Sequence, residues 1–325
     1  MGAYLLLTTH AATPYADNQA ENGTLGGSAS VVSGSDASGG KYAQFGSGSS
    51  NVGVRTWPTA ATTGANPATV TSTINEGGGW YYDSNTNDTI QNTEIDGAIY
   101  FEGTGTLTLR NDIIKPDWLK VFETIDPANN GSIILDHVTI AGVNAGQGTN
   151  FTKGFVGPAA PGTLDVGYSN ITGICQNDVG TGNFNIHDNY IWGTATGNGN
   201  TCHGTPIEDE FGGSGTRLIE HNTLDEAPGT STGPGATDGI FLQNTYGPIS
   251  PDVIDDNAIH LFLYGIEVST TGPNGVTAGP KVTNNCFVTA GPAGPLSDSG
   301  TVTIWSGNTQ CDLSYKDTGI VVPKP

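Results

Sequence analysis

The chain has 325 residues, 49 of them Gly and 18 Pro, with ten Lys and Arg against 31 Asp and Glu for a formal net charge of −21. That charge excludes nucleic acid as a partner, because a phosphate backbone requires a basic face, and it disfavours an anionic membrane surface for the same reason. A neutral substrate fits, or a polyanion held through bound cations.

The chain opens on Gly2-Ala-Tyr-Leu-Leu-Leu-Thr-Thr-His-Ala-Ala12, an apolar run followed by small residues. Residues 1–16 are read as the remnant of a secretory signal, and an ordinary apolar strand is the alternative. No later stretch approaches ~18 apolar residues in a row, so no membrane span is expected in the chain. Residues 17–66 form an N-terminal β arm that ends in a Gly/Ser linker from Ser47.

From about residue 67 to 311 the sequence repeats itself. Asn183-Phe-Asn-Ile-His-Asp-Asn-Tyr-Ile191, Thr216-Arg-Leu-Ile-Glu-His-Asn-Thr-Leu224 and Pro251-Asp-Val-Ile-Asp-Asp-Asn-Ala-Ile259 share one grammar: an aliphatic anchor, two polar residues, Asn, a free position and a second apolar residue. With Ile186, Ile219 and Ile254 as anchors, weaker copies sit at Ile90, Leu109, Leu135, Val166, Val282 and Ile304. The intervals run from 19 to 35 residues without long amphipathic runs, which suits short stacked strands with variable loops rather than helix pairs. Asn189, Asn222, Asn257 and Asn285 are expected to take the left-handed turn between strands and to stack as a hydrogen-bonded column. His137, His187 and His221 lie within the repeat phrase and are assigned to that structural ladder. The tail from Leu313 to Pro325 is expected as a cap or a loose end.

After each Asn a second strand is expected, as in Ala98–Glu102, Trp118–Glu123, Lys153–Val156, Gly173–Gln176, Thr205–Phe211, Asp238–Gln243 and Tyr264–Val268. Period-2 alternation points Ile99, Leu119, Phe155, Ile174, Ile207, Ile240 and Ile266 inward, and Tyr100, Lys120, Glu208, Phe241 and Glu267 outward.

This layout resembles the right-handed parallel β-helix superfamily of pectate lyases, polygalacturonases and phage tailspikes over roughly residues 67–311. Residues 20–46, with Ala-Glu near the start and Ala-Ser-Gly-Gly-Lys-Tyr42, resemble the opening strands of β-sandwich carbohydrate-binding modules. The resemblance implies an all-β chain with a β-helix of about nine to ten coils over residues 67–325. It also places a polysaccharide on the outward face of the second strand, walled by the loops Gly142–Thr152, Gly193–Thr205 and Ala227–Thr237.

Carboxylates concentrate on that face at Glu208, Glu210, Asp238 and Glu267. Glu208 and Glu267 are expected two coils apart, about 9–10 Å, with Asp238 between them. That is near the upper end of the ~6.5–9.5 Å range of an inverting glycosidase pair. His203 and Lys120 complete the candidate catalytic set, and Tyr100, Phe122, Lys153, Phe241, Gln243 and Tyr264 the substrate-binding set. The aromatics either stack on sugar rings or merely cover the tube. Three readings stay open: a secreted glycoside hydrolase without cofactor, a Ca²⁺-assisted polysaccharide lyase, and a non-catalytic glycan-binding or adhesive surface protein. The polygalacturonase signatures Asn-Thr-Asp, Gly-His-Gly and Arg-Ile-Lys are absent. Spacings of one coil favour Cys175–Cys202 and Cys286–Cys311 among the three connectivities of four cysteines, and disulfides imply an extracellular setting.

Overall fold

The computed structural model describes residues 30–33 and 41–44 and, from 55 to 325, all but 118, 122, 130, 144–152, 157–161, 174–175, 179–182, 193–203, 214, 216, 226–237, 261, 289–292 and 299. For 30–33, 41–44, 153–156 and 176–178 it describes the backbone. The chain divides into two units, Met1–Gly53 and Val54–Pro325. In the first, Ser30–Ser33 and Lys41–Gln44 pair antiparallel, with Ser30 opposite Gln44. Every regular element among the described residues is a strand.

The second unit is built from three rows of parallel strands that recur in the same order. Row 1 has nine strands, Asp88–Gln91, Thr106–Arg110, Ser132–Asp136, Thr163–Gly167, Asn183–His187, Arg217–Glu220, Val253–Asp255, Lys281–Thr283 and Ile304–Ser306. Row 2 runs from Ile113–Ile114 through Thr139–Ala141, Asn170–Thr172, Tyr190–Trp192, Thr223–Asp225, Ala258–His260 and Cys286–Val288 to Thr309–Cys311. Row 3 comprises Glu123–Pro127, Lys153–Val156, Gln176–Asp178, Thr205–Asp209, Asp238–Gln243, Tyr264–Ser269 and Gly294–Asp298. The long strands Ser72–Asp83 and Thr93–Phe101 pair with each other and open rows 2 and 3 together. An all-β chain with long parallel rows of this kind is compatible with a solenoid.

The register explains the repeat phrase. Ile90, Leu109, Leu135, Val166, Ile186, Ile219, Ile254 and Val282 form one continuous column in row 1, and all are buried. The next place belongs to Trp305, not to Ile304, which is exposed. Parallel strands covered on the inner face take β-branched and Leu side chains there, since each contributes about 1.5–3 kcal/mol on leaving water.

The Asn column is present and longer than expected. Asn189 Nδ2 donates to Asn222 Oδ1 (3.0 Å), Asn222 to Asn257 (2.9 Å), Asn257 to Asn285 (3.0 Å) and Asn285 to Asn308 (3.1 Å). These amides are buried, and each also donates to a row-1 carbonyl of the preceding repeat, as Asn222 does to Ile186. The left-handed conformation falls one residue earlier, however, at Asn92, Asn111, His137, Tyr168, Asp188, His221, Asp256, Asn284 and Gly307, with φ between 52° and 67°. Turning the corner on that residue leaves the following Asn pointing inward, where its amide reaches the next strand layer.

Residues 55–71 lie along this left-handed column as a strap. Trp57 Nε1 donates to the Asp256 carbonyl (2.8 Å), Thr223 Oγ1 to the Pro58 carbonyl (2.7 Å), Gly64 N to the Tyr168 carbonyl (2.7 Å) and Asn66 N to Asn111 Oδ1 (2.6 Å). Thr71 N then reaches the Asn92 carbonyl (2.9 Å).

The far end of the tail is a cap. Asp317–Val321 pairs antiparallel with Thr309–Cys311, Val322 joins the main core, Trp305 Nε1 donates to the Val322 carbonyl (2.9 Å), and Lys324 Nζ meets Asp298 (3.1 Å). Cys286 and Cys311 are bonded, with Cα atoms 5.6 Å apart. Cys175 and Cys202 lie outside the described residues. In the early repeats the expected frame of row 3 is wrong. Ile125, not Leu119, aligns with Ile99, and Leu119 sits exposed in a turn. Val156, not Phe155, takes the register place of Ile125, across an irregularity in the pairing.

Candidate functional site

The outward face of row 3 carries a column of Glu208, Phe241, Glu267 and Ser297, each in register with the next. Its strands are held by the inward residues Ile207, Ile240, Ile266 and Leu296, all buried, so the outward positions are fixed by the packing behind them. Glu208 and Glu267 therefore stand two strands apart, about 9–10 Å. The residue between them is Phe241 rather than Asp238. Asp238 shares the parity of Ile240, is buried, and pairs in register with Tyr264. The two glutamates differ in setting: Glu208 is 2% exposed, whereas Glu267 and Phe241 are half-buried.

Glu210 lies one residue beyond its strand, and its carbonyl accepts from Tyr246 N (2.9 Å) and Gly247 N (3.2 Å). Gln243 is half-buried and in register with Ser269. Lys120 stands apart from the column: its ammonium contacts Asp117 (3.3 Å) and the Gly77 carbonyl in a turn, and the strand that follows it is three strands from Glu208. Tyr100 is also remote, forming an aromatic cluster with Trp80 (ring centroids 6.0 Å) and Tyr82 (5.3 Å). Phe122 and His203 lie outside the described residues, as does the side chain of Lys153.

Two features were not anticipated. Phe211 and Tyr246 stack at 4.9 Å and 17° beside Glu210, with Tyr246 65% exposed. A Cβ on Gly247 would run into the Phe211 carbonyl, so glycine is what lets the two turns approach closely enough to stack. The second is an ion cluster behind the site. Arg217 contacts Asp209 and donates from Nε to Asp252 Oδ1 (2.6 Å), all fully or nearly fully buried, and the guanidinium lies 4.5 Å from the Phe184 ring centroid. Burial, reinforced by the like charge of Asp209, pushes the Asp252 carboxyl up to about 8 against the pull of Arg217. The signal for this cluster was legible: Arg217 and Asp252 each stand two residues before an inward anchor, Ile219 and Ile254, and so share its parity.

Among the described residues, no group of three or more His, Cys, Asp or Glu side chains is placed to hold a metal ion, and no helix is long and apolar enough to cross a membrane. Comparison of the chain with protein-family models, with curated proteins and with solved structures returned no match.

Proposed function

We propose that the second unit winds as a right-handed parallel β-helix of about nine to ten coils and that the protein is a secreted enzyme hydrolysing glycosidic bonds on the outer face of row 3. The observation that carries this reading is the column Glu208–Phe241–Glu267: two carboxyl groups of unlike burial flanking an aromatic ring on one wall. Glu208, withdrawn from water, is assigned the proton donor to the glycosidic oxygen. Glu267, reachable by solvent, is assigned the base that takes a proton from the attacking water as the bond to the anomeric carbon breaks. A separation of about 9–10 Å leaves room for that water and favours inversion. Phe241 and the Phe211–Tyr246 stack, whose Tyr246 ring is exposed, offer apolar faces for sugar rings. The Cys286–Cys311 bond favours an oxidising, extracellular location.

The test is incubation with a panel of neutral and uronate-containing glycans, with and without chelator, following reducing ends and the absorbance of unsaturated uronates. New reducing ends without unsaturation, unaffected by chelator, are expected. Glu208→Gln and Glu267→Gln should each lower kcat by about 10²–10⁴-fold with binding retained, whereas Tyr246→Ala should act mainly on KM. Unsaturated, calcium-dependent products would replace hydrolysis by elimination, and glycan retention without any product would make the face a binding surface. Full activity in both glutamate variants would remove the column from the chemistry.

A further inference from the structure

The strap crosses a chain of titratable groups that the proposed hydrolysis does not use. His187 packs its Cε1–Nε2 edge against Gly167, where a Cβ would come within 2.6 Å of the ring. Its Nε2 faces Asp165 Oδ1 (3.3 Å) and its Nδ1 faces Asp188 Oδ2 (2.8 Å). The other oxygen of Asp188 faces His221 Nδ1 (2.6 Å), and His221 Nε2 faces the Thr56 carbonyl in the strap (3.0 Å). Beneath this crossing is a cleft of about 280 Å³ lined by Trp57, Pro58, Thr62, Tyr168, Asp188 and His221.

Both ring nitrogens of His221 thus meet groups that can only accept. The imidazolium donates to both. The neutral ring has one proton, and the charged, shorter contact to Asp188 retains it, leaving the Nε2 lone pair against the Thr56 carbonyl. The charged and titratable groups around it are Asp188 from the preceding repeat, Glu220 beside it, Asp255 and Asp256 from the following repeat, Arg55 of the strap and His187. Burial pushes the Asp188 carboxyl up, but hydrogen bonds and charge from His187 and His221 outweigh it and hold it below the usual carboxylate range.

We propose that His221 is a pH-dependent latch that fastens residues 55–63 over the cleft in acid and releases them as pH rises through the histidine range. The contact is present while His221 is protonated and is lost on deprotonation, so protection of the strap must decrease with pH. Residues 64–71 are held by Thr139, Asn111 and backbone groups, none of which titrates there, and serve as an internal control.

Hydrogen exchange of amides 55–63 on the whole protein, normalised to the intrinsic rate at each pH, reads the latch directly. Protection should be about tenfold higher at pH 5.5 than at pH 8, the size of one hydrogen bond, with 64–71 unchanged. Asn already occupies this left-handed column at positions 92, 111 and 284, so it is the substitution that keeps the backbone. His221→Asn should leave the strap loose at both pH values. Asp188→Asn should keep it fastened at both, because the amide can donate to Nδ1 while a neutral ring donates from Nε2. A pH-independent wild type, a pH-dependent His221→Asn, release of Asp188→Asn at pH 8, or loosening of 64–71 in step would each overturn the proposal.

Discussion

At the scale of single residues, Asn222 shows how much one buried amide holds. Its Nδ2 donates to Ile186 O, Glu220 O and Asn257 Oδ1, and its Oδ1 accepts from Asn189 N and Nδ2. Replacement by Ala strands several of these groups out of reach of water, each at about 1–3 kcal/mol. Asn222→Ala is therefore expected to lose at least ~3 kcal/mol of stability, read as a lower urea midpoint at unchanged slope. The recurrence of Asn in the repeat phrase was enough to place this column. It was not enough to separate the residue that bears the left-handed φ from the one that bonds inward, because Asp188, His221 and Asp256 tolerate that φ as polar neighbours of the Asn. Arg217 and Asp252 were legible from parity alone, whereas Phe211 and Tyr246 meet through two turns whose spacing no strand periodicity encodes.

At the scale of elements, register was readable where the inner residues are β-branched and the strands regular, as at Ile207, Ile240 and Ile266. It failed where pairing is irregular: between Lys153 and Val156 the strand shifts against its neighbour, and alternation counted from either side then gives the wrong face. The candidate column was found because it lies in the regular part, and Lys120 was misplaced because residues 119 and 120 form a turn and the strand begins only at Glu123. The disulfide ties the last two strands of row 2, closing a loop with a separation of 25 residues. Replacing both cysteines by Ser should cost about 3 kcal/mol. The loss should appear as faster hydrogen exchange in residues 281–321 before it appears elsewhere, since stacked repeats depend on their nearest neighbours.

At the scale of the whole molecule, stability should be greatest on the acid side of neutrality. Burial raises the carboxyl of Asp112 to about 6, against the pull of its two backbone hydrogen bonds, and that of Asp252 to about 8. A carboxyl raised above its unfolded value contributes fully below that value, about 4, and loses its contribution as pH rises through the folded one. The stabilising share of Asp112 is thus lost between about pH 4 and 6 and that of Asp252 between about 4 and 8. Asp136, Asp188 and Asp298 are lowered, so their share disappears only in stronger acid. Urea midpoints measured from pH 4.5 to 8.5 should fall with pH, in step with growing self-repulsion from a net charge of −21 at pH 7. Asp252→Asn should flatten the upper half of that curve.

The antiparallel last strand has a consequence for growth. Every layer behind it in rows 1 to 3 runs in one direction, and each could template another of the same sense; Asp317–Val321 reverses the sense, and Val322 with Lys324 closes over the open end. A second molecule adding head-to-tail at row 2 would meet an edge of the opposite sense and could continue it only through an antiparallel pair, so the parallel register of the rows does not pass from one molecule to the next at that edge.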